Sequence, residues 1–239
     1  MKYNFFSNRK IFVSITTTKN SDWREKIKEI NRLKIEEIAL FPTCLPEKER
    51  KALYRQLEKS IVKKIPIVHL RSDMNPAEMA YLKKKYKTKV FNIHTEAEYP
   101  LKHNLLKYKK VIYVENVFRG FNEDVLKKYA GICLDFAHLE NDRLVNKERF
   151  FKIIKEINKF KIGMNHLSGV KKESRESRIN EAGETRLDNH YLKNLSEMDY
   201  LKNYPSCFFS SFLAIELANS MKNQLEVRDY LYKLLENHR

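Results

Sequence analysis

With 239 residues, 42% of them apolar, the chain can bury a sizeable core, and at this length a single α/β barrel is as natural as two small domains. The three cysteines, Cys44, Cys133 and Cys207, lie far apart and form no CxxC pair, which argues against a disulfide framework or a thiolate zinc site and fits a reducing cytoplasm. No apolar run approaches the roughly 18 residues of a membrane helix, and no signal-peptide pattern opens the chain, so a soluble cytoplasmic protein with no membrane partner is expected.

Ile11-Phe-Val-Ser-Ile-Thr-Thr is short and β-branched and predicts a first strand. Ser21-Asp22 then starts a helix, with Glu25 in the capping-box position and Trp23, Ile27, Ile30 and Leu33 at helical spacing. Glu37–Phe41 is a second strand closed by Pro42, and Pro46 opens a helix to about Ser60 with Leu53, Leu57 and Ile61 on one face. Ile65–His69 reads as a third strand, followed by a helix that Asn75-Pro76 begins. Val90–His94 is a fourth strand, with a short helical connection around Leu101–Lys109. Val111–Glu115 is a fifth, followed by a short helix over Asn122–Tyr129. Gly131–Asp135 is a sixth strand running out into a loop that carries His138. Asn146–Phe160 is an amphipathic helix and Lys161–His166 a seventh strand. Ser168 to about Asn189 reads as a long polar loop, with Gly183 as hinge of a mobile lid. Ser211–Leu217 is an eighth strand carrying Glu216, and Ser220–Leu235 a closing helix.

Strands alternating with helices predict a parallel sheet with covering helices, and eight such units over residues 1–239 predict one α/β domain, a (β/α)8 TIM barrel. A doubly wound open sheet is disfavoured, since Thr16-Thr-Thr-Lys-Asn after the first strand holds no glycine for a phosphate-binding turn.

In a barrel, functional residues sit at the carboxyl ends of the strands. Here those ends carry His69, His94, Glu115, Asp135 with His138, His166 and Glu216, and Asp188-Asn-His190 follows the seventh strand. Five of the 7 histidines fall in this set. A lone histidine at a strand end is more often a hydrogen-bonded structural residue, and Asp135 by itself would serve as a helix cap. Brought to one face, however, nine ionisable groups without a cation would be costly to bury. Carboxylate oxygen and neutral imidazole are what Zn2+, Mn2+ or a similar divalent ion binds without thiolates, so a site for one to three ions is expected.

Val-Glu115-Asn, Leu-Asp135-Phe-Ala-His138, Asn-His166-Leu-Ser, Asp188-Asn-His190 and Ile-Glu216-Leu resemble the xylose isomerase-like TIM-barrel superfamily, which holds sugar (phosphate) isomerases and epimerases together with endonuclease IV. The resemblance runs over essentially the whole chain. In the epimerase branch it implies one metal on Glu115, Asp135, His166 and Glu216, with Glu115 and Glu216 also the acid/base pair and His138 touching substrate. In the endonuclease branch it implies three zincs. His69, His94 and Glu115 would serve the first; Glu115, Asp135, His166 and Glu216 the second; and His138, Asp188 and His190 the third.

Two activities follow. One is a divalent-metal-dependent isomerase or epimerase of a small, phosphorylated sugar, in which Glu115 and Glu216 move a proton next to a carbonyl and the metal stabilises the enediolate. Arg71, Arg119, Lys171 and Arg175, just beyond strand ends, are candidate phosphate contacts for it. The other is a trinuclear-zinc phosphodiesterase acting on abasic-site DNA, for which the formal charge of +16 would supply backbone affinity. The loop chemistry favours the isomerase. After His69 the chain reads Leu-Arg-Ser-Asp rather than small residues and Tyr; Val117-Phe-Arg replaces the Thr-Ala-Gly of endonucleases; and no Gly-Tyr-Asp follows Asp135. The isomerase is the expectation carried forward. A barrel that keeps its metal only as structure is the non-enzymatic alternative.

Overall fold

The computed structural model describes residues 5–18, 21–117, 119–171, 178–179 and 183–236. Its central sheet is wholly parallel and starts with one strand broken in two, β1 (Lys10–Phe12) and β2 (Ser14–Thr16). It continues through β3 (Glu37–Phe41), β4 (Lys64–His69), β5 (Val90–Ile93), β6 (Ile112–Glu115), β7 (Ile132–Asp135) and β8 (Ile162–Leu167). The last staves are joined across four short pieces, β9 (Gly169–Val170), β10 (Arg178–Ile179), β11 (Thr185–Arg186) and β12 (Asp188–Asn189), which lead to β13 (Phe212–Ile215).

The two halves of the first strand close the ring. β1 pairs with β13, Ile11 opposite Leu213, while β2 pairs with β3, Ile15 opposite Leu40. Val13 sits at the changeover, and its carbonyl accepts the Ala39 N–H at 2.8 Å. Counting β1 and β2 as one pass, the 9-stranded sheet is an eight-staved barrel, and the molecule is the (β/α)8 fold expected from the alternation.

Helices cover the outside: α1 (Trp23–Leu33), α2 (Glu47–Glu58), α3 (Pro76–Tyr86), α4 (Glu123–Lys128), α5 (Phe136–Val145), α6 (Lys147–Ile157) and α7 (Met221–Leu234). Local chemistry sets their starts. Asp22 accepts the Arg24 and Glu25 N–H groups, and Asn75 accepts those of Ala77 and Glu78 with Pro76 in the first turn.

Alternation along each strand separates two cores. Ile38, Leu40, Ile65, Val68, Phe91 and Leu134 face the helices, whereas Ala39, Phe41, Ile67, Val90, Tyr113, Cys133, Met164 and Ala214 fill the barrel. Gly163 belongs to the lower end of this interior. A Cβ there would lie 2.0 Å from the Tyr113 ring, so the absence of a side chain on β8 is what admits that tyrosine.

Several expectations are corrected. Asp135 does not run into a loop: α5 begins at the next residue, and a separate helix over 136–145 precedes the expected one, with Asn146 capping α6 through Arg149 N. The connection expected to be helical around Leu101–Lys109 is a 3-10 turn over Leu106–Val111, and His103 lies on an exposed turn ahead of it. The polar stretch 168–189 contains two antiparallel pairings, β9 with β12 and β10 with β11; residues 172–177 and 180–182 of the expected lid lie outside the described residues. A 3-10 helix over Leu195–Asn203, closed by an Asn194/Glu197 capping box, occupies a stretch for which no element is expected from residue pattern alone.

Candidate metal centre

The strand register that fills the barrel also builds the site. Two positions beyond each interior residue, on the same face, stands a polar group: Ile67 is followed by His69, Val90 by Asn92, Tyr113 by Glu115, Cys133 by Asp135, Met164 by His166 and Ala214 by Glu216. Phe41 forms the floor, its ring edge-on to His166 at 4.9 Å and tilted to His69 at 6.0 Å.

Among the described residues, ligand atoms lie within 4.8 Å of one another in three groups that draw only on His, Glu and Asp: His69, His94 and Glu115; Glu115, Asp135, His166 and Glu216; and, separate from these, His138, Asp188 and His190; a fourth combination sets Cys133 with Glu115 and His166. In the first, His69 Nε2 lies 2.9 Å from Glu115 Oε2 and 3.1 Å from His94 Nε2. In the second, His166 Nδ1 lies 3.2 Å from Glu216 Oε2, 3.4 Å from Glu115 Oε2 and 3.9 Å from Asp135 Oδ2. In the third, His138 Nε2 lies 3.8 Å from Asp188 Oδ2. Glu115 belongs to the first two groups.

The surroundings fix which atoms are offered. His69 Nδ1 bonds Leu70 O at 3.0 Å, His138 Nδ1 bonds Asn116 O at 2.9 Å and His190 Nδ1 bonds Glu216 O at 3.1 Å. A carbonyl only accepts, so each Nδ1 carries a proton, and in the neutral ring each Nε2 would then present a lone pair, as metal-ligating histidines do. His166 is reversed, with Nε2 against Cys133 Sγ at 3.4 Å and Nδ1 toward the carboxylates. Burial pushes the Cys133 thiol up to about 12, so it is a neutral partner of His166 rather than a thiolate ligand.

The carboxylates also have neighbours of their own. Asp135 Oδ1 caps α5 by accepting the His138 N–H at 2.9 Å, so the cap role and the site role fall to different oxygens. Asp188 Oδ1 accepts from Arg186 Nε at 2.6 Å, and Glu115 Oε2 accepts from Asn92 Nδ2 at 2.7 Å. Asp135 Oδ2, His166 Nδ1 and Glu216 Oε2 are buried and have no hydrogen-bond partner among the described residues. Three buried, ligand-capable atoms that face one another without a hydrogen-bond partner among the described residues fit a divalent cation.

Charges shift accordingly. Burial opposes ionisation of Glu115, but His166 and His69 outweigh it and hold the carboxyl well below its usual range. Glu216 is likewise held at about 2, burial being overcome by His190 and His166. Burial, with Glu115 and Glu216 close by, raises Asp135 although His138 works against it. His94 is pushed down to about 3 by burial and by His69, which keeps it neutral and able to coordinate.

The expected phosphate contacts are dispersed. Arg71 borders a cavity beside His94; Arg119 is exposed, with its backbone N–H on Glu98; Lys171 follows β9; and Arg175 lies outside the described residues. Sequence reasoning passes over Asn92, Asn116, Cys133 and Arg186, which orient the ligand-capable groups. The available signal is an amide or thiol inside an apolar, period-two run, as in Val90-Phe-Asn92-Ile and Ile132-Cys133-Leu-Asp135.

The fold is similar to that of a solved endonuclease IV. The structure is that of the enzyme from Thermus thermophilus, with 14% identity, a TM-score of 0.44, and coverage of 94% of this chain and 99% of the other. No family model matches the chain, and no curated protein matches it. The functional reading rests on the residues themselves.

Proposed function

We propose that the protein is a hydrolase of phosphate diesters that works with up to three divalent ions, with DNA carrying abasic sites as the first substrate to test. The observation that carries this reading is the third group. A one-metal isomerase needs Glu115, Asp135, His166 and Glu216 and one contact from His138. It has no use for Asp188 and His190 brought to His138 with their spare atoms tied off on Arg186 and Glu216 O.

Bound in these groups, divalent cations would neutralise the phosphate and lower the pKa of an attacking water. The chain's own part is to hold them. Glu115 lies within reach of both the first and second groups, Glu216 and Asp135 stay poised as acceptors, and the backbone carbonyls of Leu70, Asn116 and Glu216 lock three imidazoles in one tautomer. The formal charge of +16 suits a polyanionic substrate.

The isomerase/epimerase reading keeps in its favour the loop sequences after His69, Glu115 and Asp135, and one observation of geometry. Glu115 and Glu216 both approach His166 Nδ1, at 3.4 and 3.2 Å, as an acid/base pair around one metal would. Metal analysis of the purified protein and a nicking assay on abasic-site duplex, with and without chelator, separate the two. About three ions per chain and chelator-sensitive nicking are expected. One ion per chain, no nicking, and solvent-deuterium exchange into a sugar phosphate would replace the hydrolase by the isomerase.

A further inference from the structure

At the end of the barrel away from the metal-capable centre, a hollow of about 290 Å3 lies between the segment ahead of β1, the start of β8 and the turn into β13. That is the low end of small-molecule sites, roughly 300–1,000 Å3, and suits a compact ligand. Tyr113 of β6 reaches the hollow because Gly163 of β8 has no side chain: a Cβ there would meet the phenol oxygen at 2.6 Å. Tyr113 is only 8% exposed, yet its hydroxyl makes no hydrogen bond among the described residues. Tyr54, Tyr200 and Tyr204, buried to a similar extent, donate to Glu78, to Ser168 O and to Glu140. Two cations share the wall with Tyr113. Arg9 spends its three nitrogens on the carbonyls of Phe209, Phe5 and Ser206, at 3.1, 2.7 and 3.0 Å. Those bonds fix the guanidinium without neutralising it and leave it donors to spare. The exposed Lys161 ammonium makes neither an ion pair nor a hydrogen bond among the described residues. No acidic residue lines the hollow, and Glu36 and Glu37, where β3 begins, are taken by Lys63 and by Lys10 and Lys64.

Two cations without a carboxylate, a buried hydroxyl with its proton to give, and a wall free of acids select a ligand that is negative and rich in acceptor oxygens. We infer that this hollow binds a small phosphate monoester, with the phosphate among Arg9, Lys161 and the Tyr113 hydroxyl and the rest of the molecule against Asn8 and Ser211. A phosphate suits the wall better than a carboxylate does, because its three terminal oxygens can meet three separate donors at once. The apolar filling of the barrel, Ile67, Cys133 and Met164 among it, separates this site from the metal-capable centre. Its occupant would still rest on the strands that build that centre, since β6 carries Tyr113 and then Glu115, and β8 carries Gly163 and then His166.

The test is isothermal titration calorimetry of the purified protein with glycerol 3-phosphate, inorganic phosphate and acetate. It is run on the protein as isolated and again after chelator treatment and dialysis, so that binding at a metal is told apart and the hydrolase reading does not enter. Wild type should bind glycerol 3-phosphate and, more weakly, inorganic phosphate under both conditions. Tyr113→Phe keeps the ring that fills the barrel and removes only the donor. Its affinity for glycerol 3-phosphate should fall about 10- to 150-fold, the worth of a hydrogen bond to a charged group, with the unfolding midpoint of the free protein unchanged. Lys161→Met, at an exposed position, should weaken binding about 2- to 5-fold and flatten its dependence on salt. A tyrosine that merely plugs the barrel would leave Tyr113→Phe binding like wild type, and that result overturns the assignment. So would binding that disappears with the chelator, no binding by wild type at millimolar probe, or acetate bound as tightly as glycerol 3-phosphate.

Discussion

Glu78→Gln tests whether the loop that carries Arg71 is held by a buried charge. Arg50 is wholly inaccessible, and its guanidinium meets Glu78 through two bonds, Nε to Oε1 at 2.7 Å and Nη2 to Oε2 at 3.0 Å. Leu45 O and Asp73 Oδ1 take Nη1, both at 2.9 Å, and Tyr54 Oη donates to Glu78 Oε1 at 2.7 Å. Gln keeps the shape of Glu78 but removes its charge and turns one acceptor into a donor facing another donor. Breaking a buried pair on one side costs about 3–5 kcal/mol, since the remaining charge stays desolvated. For a chain of this size 1 kcal/mol is worth about 2–4 °C, so the midpoint of thermal unfolding should fall by about 6–20 °C. Circular dichroism melts of wild type and Glu78→Gln read this directly. The double variant Arg50→Met, Glu78→Met, which buries no charge at either position, should recover part of the loss. A drop under about 2 °C for Glu78→Gln would refute the claim that this pair carries the α2–α3 junction.

Other expectations concern the site and the barrel. Glu216→Gln should lower metal-dependent turnover by more than about 100-fold, checked by initial rates alongside metal content; an unimpaired variant would remove the assignment of the centre. Gly163→Ala forces a methyl into the Tyr113 ring and should cost about 1–3 kcal/mol in urea unfolding, part of which Tyr113→Val should restore. Lys26 donates to Leu217 O at 2.8 Å, and burial lowers its pKa from 10.5 to about 7. Between those values the unfolded chain binds the extra proton, so this residue makes stability rise with pH across the window. Lys26→Met should therefore be more stable than wild type near neutrality, with the gap closing toward pH 10. The Leu217 carbonyl keeps Gln224 as a donor. Unfolding curves at both ends of the range that show a constant difference would refute the sign.

The barrel and its strand ends are legible because β-branched runs ending in His, Glu or Asp leave few other readings, and one parallel sheet brings such ends to one face. α5 is not. Phe136 to Asp142 are all buried, with Glu140, Asn141 and Asp142 among them, so the helix shows no apolar stripe against a polar one. Its polar residues find partners that helical spacing does not announce: Glu140 accepts from Tyr204 as well as from Arg143 on its own helix, Asp142 accepts from Arg149, and Asn141 accepts the Leu187 N–H. The same holds for Asn116, which binds both the N–H and the carbonyl of Asp135, and whose own carbonyl receives His138. Cys133 draws attention in the sequence only for thiolate chemistry, whereas its neutral sulfur matters by occupying His166 Nε2.

The broken first strand also sets a schedule for synthesis. Its outer half waits for β13, and the Arg9 side chain that fastens the same seam binds Phe209 O, 200 positions away. At ribosomal speeds of about 5–20 residues per second, the N-terminal edge stays unpaired for roughly 10–40 s after it is made. Glu216 arrives at the end of that interval. The emerging chain thus exposes histidines and acidic groups well before they can be gathered, and the full set of ligand-capable groups comes together only once the ring has shut.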